Sequence, residues 1–155
     1  MSPYEEIINL LKANNISYKE TEHEPVYTSE QAAKVRGISE SGGAKSLLLK
    51  SGNDFILTVL PGDRKLDSQK LKSLLKIKKL RFATPREVKN KMGCEIGACY
   101  PFGNIIGLPT YVDNFLSKND IIVFNPGLHT RSIEIKWQDF YLTAKPQIVD
   151  IAISI

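Results

Sequence analysis

Residues 93–103 read Gly-Cys-Glu-Ile-Gly-Ala-Cys-Tyr-Pro-Phe-Gly, with three glycines and one proline. Glycine allows positive φ and the close approach of another molecule, while proline fixes its own φ and disfavours α conformation in the residue before it. The composition therefore predicts an irregular loop. Gly97 and Pro101 bound a GxxxP element whose backbone N–H groups could converge on a carbonyl oxygen that gains negative charge. A tight turn between two strands is the alternative interpretation.

Helix signals occur on both sides of this loop. Capping residues followed by apolar residues at helical spacing predict helices that begin at Ser2, at Thr28 or Ser29, at Asp67 and at Thr84, and residues 137–142 predict one or two further turns. Gly37 is the predicted end of the second helix. Leu71, Leu74 and Leu75 form the predicted buried face of the third.

Strand signals outnumber these helices. Short apolar or alternating runs predict strands at residues 16–21, 44–50, 55–60, 79–82, 110–113, 120–124, 131–135 and 148–153. No strict β-α-β alternation and no internal repeat is visible. The pattern predicts an α+β domain in which helices pack against a mixed or antiparallel sheet.

Composition limits the class of protein. With 155 residues, 42% hydrophobic and 25% charged, the chain is expected to form one globular domain over residues 1–155. No run reaches the ~18 apolar residues of a membrane span, and no basic region followed by an apolar run opens the chain. A cytoplasmic protein is therefore expected.

The net charge is +4, from 21 basic and 17 acidic residues, and it favours an anionic partner. Most of the excess lies in one set of residues: Lys65, Lys70, Lys72, Lys76, Lys78, Lys79, Arg81, Arg86, Lys89 and Lys91. This set is either a solvated helix face or a patch that binds a phosphate backbone, and in the second case binding would weaken as salt rises.

The sequence lacks the motifs of several well-known enzyme classes. It contains no G-x-S-x-G, no H-E-x-x-H and no G-x-G-x-x-G, and Gly42-Gly43-Ala44-Lys45-Ser46 lacks the spacing and the following helix of a phosphate-binding loop. Cys94 and Cys99 have neither CxxC spacing nor histidines at zinc-site spacing, so we expect free thiols, no metal and no cofactor.

Two polar residues remain as candidates for chemistry. Lys45 begins an apolar strand, where its ammonium could reach a cleft, although a lysine at a strand end is commonly exposed. His129 follows a turn and is interpreted as a hydrogen-bond donor, a proton relay or an ordinary turn residue. His23, before Pro25, is interpreted as structural.

Taken together in their order along the chain, the motifs resemble those of the YbaK/prolyl-tRNA synthetase-associated editing domain family. The resemblance runs from about His23 to the C-terminus and rests on Lys45 with Ser-Leu-Leu-Leu, on Gly62-Asp63-Arg64-Lys65-Leu66-Asp67, on Gly97-x-x-x-Pro101-Phe102-Gly103 and on Gly127-x-His129. It implies a single α+β domain with a mixed, barrel-like sheet. It also implies a free-standing enzyme that hydrolyses the ester of mischarged tRNA.

The resemblance implies roles for particular residues. Lys45 would orient the terminal adenosine or the carbonyl, and Gly97 would supply backbone contacts to the reacting ester. The substrate-binding residues it implies are Ala98, Cys99, Pro101, Phe102, Gly103 and, less firmly, His129. An aminoacyl ester is already activated, so a positioned water suffices as nucleophile and Cys99 is expected to line the pocket.

The expected substrate is a small amino acid such as alanine or cysteine, carried on the tRNA for proline. Mischarged tRNA is the expected partner, an aminoacyl-tRNA synthetase is a further candidate, and neither a membrane nor DNA is expected to bind. A non-catalytic module that binds tRNA or a synthetase through the basic residues is the alternative function, and a thiol redox protein is a weaker one.

Overall fold

Five α-helices lie in the part of the chain that this computed structural model describes, residues 1–36 and 40–155. They are α1 (Pro3–Ala13), α2 (Ser29–Arg36), α3 (Ser68–Leu75), α4 (Pro85–Met92) and α5 (Trp137–Ala144). Short 3₁₀ turns at Glu40–Gly42, Gly103–Ile106 and Leu116–Lys118 join other elements. No helix in these residues is long and apolar enough to cross a bilayer.

Four of the five described helices begin where a side chain accepts a free backbone N–H group. Ser2 accepts from the N–H of Glu5 before α1, and Asp67 accepts from two N–H groups before α3. Thr84 and Glu87 form a reciprocal capping box at α4. Before α2, the hydroxyl of Thr28 accepts from the N–H of Gln31. The predicted end of α2 at Gly37 lies outside the described residues.

Ten strands form three sheets within the described residues. They are β1 (Lys19–Glu22), β2 (Ala44–Ser51), β3 (Asp54–Pro61), β4 (Arg64–Leu66), β5 (Arg81–Phe82), β6 (Thr110–Asp113), β7 (Ile121–Phe124), β8 (Arg131–Lys136), β9 (Gln147–Val149) and β10 (Ala152–Ser154). The main sheet has the order β5-β2-β3-β6-β9, antiparallel from β5 to β3 and parallel from β3 to β9. β1-β8-β7 and β10-β4 form the two smaller antiparallel sheets. The predicted α+β fold with a mixed sheet is thus confirmed.

Two details correct the sequence analysis. The predicted strand at 148–153 is two strands in different sheets, because the buried Asp113 carboxylate accepts the N–H groups of Ile151 and Ala152, each at 2.9 Å, and turns the chain there. Leu74 was expected to be buried, yet it is 47% exposed, and Leu71 alone of the three predicted leucines is fully enclosed.

Alternate residues of β2 are buried on opposite faces of the main sheet. Ala44 and Leu48 pack in the larger hydrophobic cluster, whereas Leu49 packs in the smaller one. This alternation is the period of two that a strand requires. The two faces of β2 therefore pack against different hydrophobic clusters, including at the start of the strand, where the site lies.

Candidate active site

A cavity of about 540 Å³ runs along the edge of β2. β5 pairs only with Leu49 and Lys50 of β2, so the preceding part of that edge has no strand paired to it in the described sheets. Six consecutive residues, 43–48, line the cavity, as expected for a strand that presents its edge rather than one face. The volume lies within the range of small-molecule sites.

Other elements close the cavity around this edge. The start of α2, the end of β5, the start of α4 and the glycine-rich loop all contribute residues. These residues include Tyr27, Thr28, Phe82, Val88, Gly97 and Cys99. Two residues of the GxxxP element, Gly97 and Cys99, thus line the same cavity as Lys45.

Lys45 is half-buried at this cavity. Its Nζ donates a hydrogen bond to the carbonyl oxygen of Arg64 at 2.6 Å, which uses one of the three donors of an ammonium. Burial lowers the pKa of Lys45, and the carboxylates of Glu40 and Asp63 oppose that shift. A poorly hydrated ammonium of this kind gains from binding an anionic or carbonyl oxygen.

The backbone conformation at Gly97 strongly favours glycine. Its φ is +90°, and a Cβ at this position would lie 3.0 Å from Cε1 of His129 and 3.6 Å from the carbonyl oxygen of Tyr27. The absence of a side chain lets the loop rest directly on these two residues. Gly97 itself stays exposed at the cavity.

The next residues of the loop turn inward. The N–H of Ala98 donates to the carbonyl oxygen of Glu95 at 3.0 Å, so this N–H is committed within the loop and does not point at a ligand. Ala98 is 1% exposed, and Pro101 is also buried. The sequence-based expectation of several converging N–H groups therefore does not hold for Ala98.

Phe102 and Gly103 do not line the cavity. Phe102 is fully buried and packs edge-on against Phe124 and Phe140, with ring centroids 5.3 and 5.5 Å apart. Gly103 donates its N–H to Oγ1 of Thr110 at 2.9 Å, and a Cβ there would lie 2.4 Å from the carbonyl oxygen of Leu108. These contacts place both residues in the packed interior, and their predicted contact with substrate stays a prediction.

His129 contacts residues that line the cavity. Its Nδ1 lies 2.9 Å from the carbonyl oxygen of Val26, which can only accept, so Nδ1 carries the proton. The ring lies 4.4 Å from that of Tyr27, and its Nε2 is 3.5 Å from Oε2 of Glu95, beyond a good hydrogen bond. His129 thereby joins the start of α2 to the glycine-rich loop. It does not line the cavity.

His23 lies outside the cavity as well. Its two ring nitrogens contact the carbonyl oxygen of Glu24 and Oγ of Ser132, both at 2.7 Å. These bonds fasten the segment after β1 to β8, in keeping with the structural interpretation from sequence.

Cys94 and Cys99 are buried thiols whose sulfur atoms are 3.8 Å apart. The hydrogen bond with Cys94 and burial raise the pKa of Cys99, so its thiol stays protonated. A protonated, enclosed thiol is a poor nucleophile. In residues 1–36 and 40–155, no cluster of three or more His, Cys, Asp or Glu side chains could hold a metal ion.

Sequence reasoning missed several cavity residues. Ser46, Tyr27, Phe82 and Asn125 all line the cavity, and Phe82 is 59% exposed at its rim. Ser46 directly follows Lys45 on the same unpaired edge, which was the available signal. Tyr27 and Asn125 reach the site through tertiary contacts that no local pattern announces.

The chain is similar in sequence to known proteins that act on tRNA. Residues 23–141 match the family model described as the aminoacyl-tRNA editing domain. The chain is 30% identical over 152 residues to the multifunctional Ser/Thr-tRNA deacylase ProXp-y of Escherichia coli (strain K12), covering 95% of this chain and 91% of that one. It is 31% identical over 99 residues to a proline–tRNA ligase of Fervidobacterium nodosum, covering 63% of this chain and 17% of the ligase.

A solved structure shares the fold. It was described as a proposed trans-editing enzyme for prolyl tRNA synthetase, and it superposes with a TM-score of 0.86 at 23% identity over 99% of each chain. At 23% identity this likeness shows a shared fold.

Proposed function

Because the chain belongs to the aminoacyl-tRNA editing domain family, we propose that it is an aminoacyl-tRNA deacylase that hydrolyses mischarged tRNA in trans, and that residues 1–155 form one such domain. The observation that carries the proposal is that the half-buried Lys45 and the exposed Gly97 line one cavity. That arrangement fits an ester whose carbonyl oxygen becomes negative during hydrolysis.

The proposed reaction needs no protein nucleophile. A water molecule adds to the ester carbonyl carbon, and the carbonyl oxygen takes up negative charge that the Lys45 ammonium stabilises. The ester C–O bond then breaks, the ribose oxygen of the terminal adenosine leaves and takes the proton that the attacking water released, and the free amino acid departs. Gly97 and Cys99 form the opposite wall and hold the acyl group in place.

The basic residues supply the proposed tRNA-binding surface. Eight of the ten are exposed, namely Lys65, Lys70, Lys76, Lys78, Lys79, Arg81, Arg86 and Lys89. They lie on β4, α3, β5 and α4 and on the segments that join them, and α4 also contributes Val88 to the cavity. Phe82, in the middle of this set, offers an exposed ring at the cavity rim on which a terminal base can stack.

The proposed acyl group is small. Ala32, Ala33, Ala83 and Val88 give an apolar wall to a cavity that must also hold a nucleoside, which leaves only part of its volume for the acyl group. The family resemblance favours alanine or cysteine on the tRNA for proline, and the likeness to part of a proline–tRNA ligase supports that tRNA and a synthetase partner. The name of the E. coli relative adds serine and threonine to the candidates. Action on tRNA would place the protein in the cytoplasm.

The test is a panel of mischarged tRNAs carrying alanine, cysteine, serine, threonine and proline. We expect release of one or two small amino acids by the wild type and almost none by Lys45→Ala. Release of no amino acid, with salt-dependent tRNA binding intact, would instead establish the non-catalytic binding module.

A further inference from the structure

Glu40 is the one residue with an acidic side chain among the described residues that line the cavity, and Lys45 is the one with a basic side chain. Glu40 is partly exposed. Its carboxylate oxygens are not buried, and within residues 1–36 and 40–155 they make no hydrogen bond or ion pair. A ligand that enters the cavity therefore meets an accessible carboxylate that still has its acceptor positions to offer.

Backbone hydrogen bonds fix the position of Glu40. Its carbonyl oxygen accepts from the N–H of Gly43 at 3.0 Å and from the N–H of Gly62 at 3.1 Å. Both glycines line the cavity, one just before β2 and the other just after β3. The carbonyl oxygen of the next residue, Ser41, accepts from Nδ2 of Asn119 at 2.9 Å. The short turn that carries Glu40 is thus fastened beside the start of β2, where Lys45 lies.

The Glu40 carboxylate acts on Lys45 without pairing with it. Burial lowers the pKa of Lys45 and the Glu40 carboxylate opposes that shift, which requires the two charges to lie near each other. The Lys45 ammonium nevertheless donates to the carbonyl oxygen of Arg64 and forms no ion pair with Glu40. Glu40 is left to bind another cation, and a carboxylate in a largely apolar cavity attracts a cation more strongly than one in water does.

An aminoacyl ester carries such a cation. Its α-amino group is largely protonated near neutral pH, and the nitrogen lies two bonds from the carbonyl carbon. An ester whose carbonyl oxygen lies at Lys45 therefore brings its α-ammonium into the vicinity of the Glu40 carboxylate, to which it can donate charge-assisted hydrogen bonds. The two charges of the cavity thus match the two polar ends of one substrate.

We infer that Glu40 is a specificity-determining residue that binds the α-ammonium of the acyl group and restricts the substrates to esters with a free α-amino group. The inference rests on the proposed deacylase function. An ester whose α-nitrogen bears a formyl group or a peptide has a neutral amide there, which leaves the Glu40 carboxylate without a cation. The enzyme is then expected to spare formylated and peptidyl esters on tRNA, as well as α-hydroxyacyl esters.

The experiment compares kcat/KM for alanyl-, seryl- and threonyl-tRNA with kcat/KM for the same esters after deamination, in which a hydroxyl of similar size replaces the α-ammonium. Each rate is corrected for spontaneous hydrolysis. We expect the wild type to prefer each aminoacyl ester that it hydrolyses over the deaminated counterpart. Glu40→Gln should reduce this preference about 10- to 100-fold, as expected for the loss of one charge-assisted hydrogen bond. Glu40→Asp keeps the charge and should keep more of the preference than Glu40→Gln.

Asp63→Asn is the matched control, because Asp63 also acts on the charge of Lys45 but does not line the cavity. A change in the protonation of Lys45 alters the rates of both esters alike, whereas loss of the contact with the α-ammonium alters only the rate of the aminoacyl ester. Asp63→Asn should therefore keep the wild-type preference.

The outcomes separate this inference from the function on which it rests. An unchanged preference in Glu40→Gln, or an equal fall of both rates, would overturn the role of Glu40 and leave the deacylase standing. Hydrolysis of none of the esters by the wild type would overturn both. Should Glu40→Gln fail to fold, the wild type decides: the inference requires slow hydrolysis of the N-acetylated aminoacyl ester, and equal rates with and without the acetyl group would overturn it.

Discussion

Replacing Gly97 with alanine tests the geometry of the glycine-rich loop. At φ +90° an L-residue is strained, and its Cβ would lie 3.0 Å from Cε1 of His129. Strain at such a position costs about 1–3 kcal/mol. The contact adds to this cost because His129 is itself held by the carbonyl of Val26. The loop must shift, and Gly97 lines the cavity, so the reaction is affected as well.

Two other glycines provide matched controls for this change. Gly52 and Gly107 have φ of +60° and +72°, and a Cβ at either would meet nothing within 4 Å. Their alanine variants isolate backbone strain, with an expected loss of about 1–2 kcal/mol of unfolding free energy and unchanged deacylation. Gly97→Ala should lose at least as much stability, and its deacylation rate should fall about 10- to 100-fold, since small misplacements at a reacting centre are costly.

The assays are urea unfolding followed by circular dichroism and the initial rate of deacylation of mischarged tRNA. Combining Gly97→Ala with His129→Ala completes a double-mutant cycle, in which removal of the ring should restore part of the lost stability. If Gly97→Ala matched Gly52→Ala in both stability and rate, the claim that the loop rests on His129 and shapes the site would be refuted.

Two further predictions concern the thiol and the ammonium. Cys99→Ala should keep most deacylation, and wild-type Cys99 should react slowly with iodoacetamide, because the pKa of its thiol is raised; complete loss of activity would contradict a pocket-lining role. Burial lowers the pKa of Lys45, so the rate, corrected for spontaneous hydrolysis, should fall as pH rises through a pKa below that of an exposed lysine. Over the same pH range the wild type should gain stability relative to Lys45→Met, because the cost of burying the charge disappears as the ammonium loses its proton. NMR titration of the lysine Nζ groups checks that the pKa belongs to Lys45. A Lys45 that titrates together with the exposed lysines would contradict the prediction.

Much of the fold could be predicted because its signals are local. Capping residues at Ser2, Asp67 and Thr84 act on N–H groups two or three positions away, and the structure shows each of these bonds. The β2–β3 hairpin likewise follows from two apolar runs around a Gly-Asn turn. In contrast, the break between β9 and β10 depends on Asp113, which is distant in sequence.

The site was predicted in part for the same reason. Lys45 and the GxxxP loop carry recognisable motifs, and the structure places Lys45, Gly97 and Cys99 at one cavity. The enclosure of Phe102 by Phe124 and Phe140 and the support of Gly97 by His129 are tertiary contacts. The motif resemblance predicted that Phe102 and His129 contact the substrate. Which residues a ligand can reach depends on packing, which a motif does not describe.

The rate of deacylation by Lys45→Ala, measured together with its tRNA affinity, tests the central claim most directly. The substrate is the mischarged tRNA that the wild type hydrolyses fastest. We expect the rate to fall at least about 100-fold, as for the loss of one group that stabilises an oxyanion, while tRNA affinity changes little because the exposed basic residues remain. A variant that hydrolyses the ester at the wild-type rate would contradict the assignment of Lys45 and of the cavity as the active site.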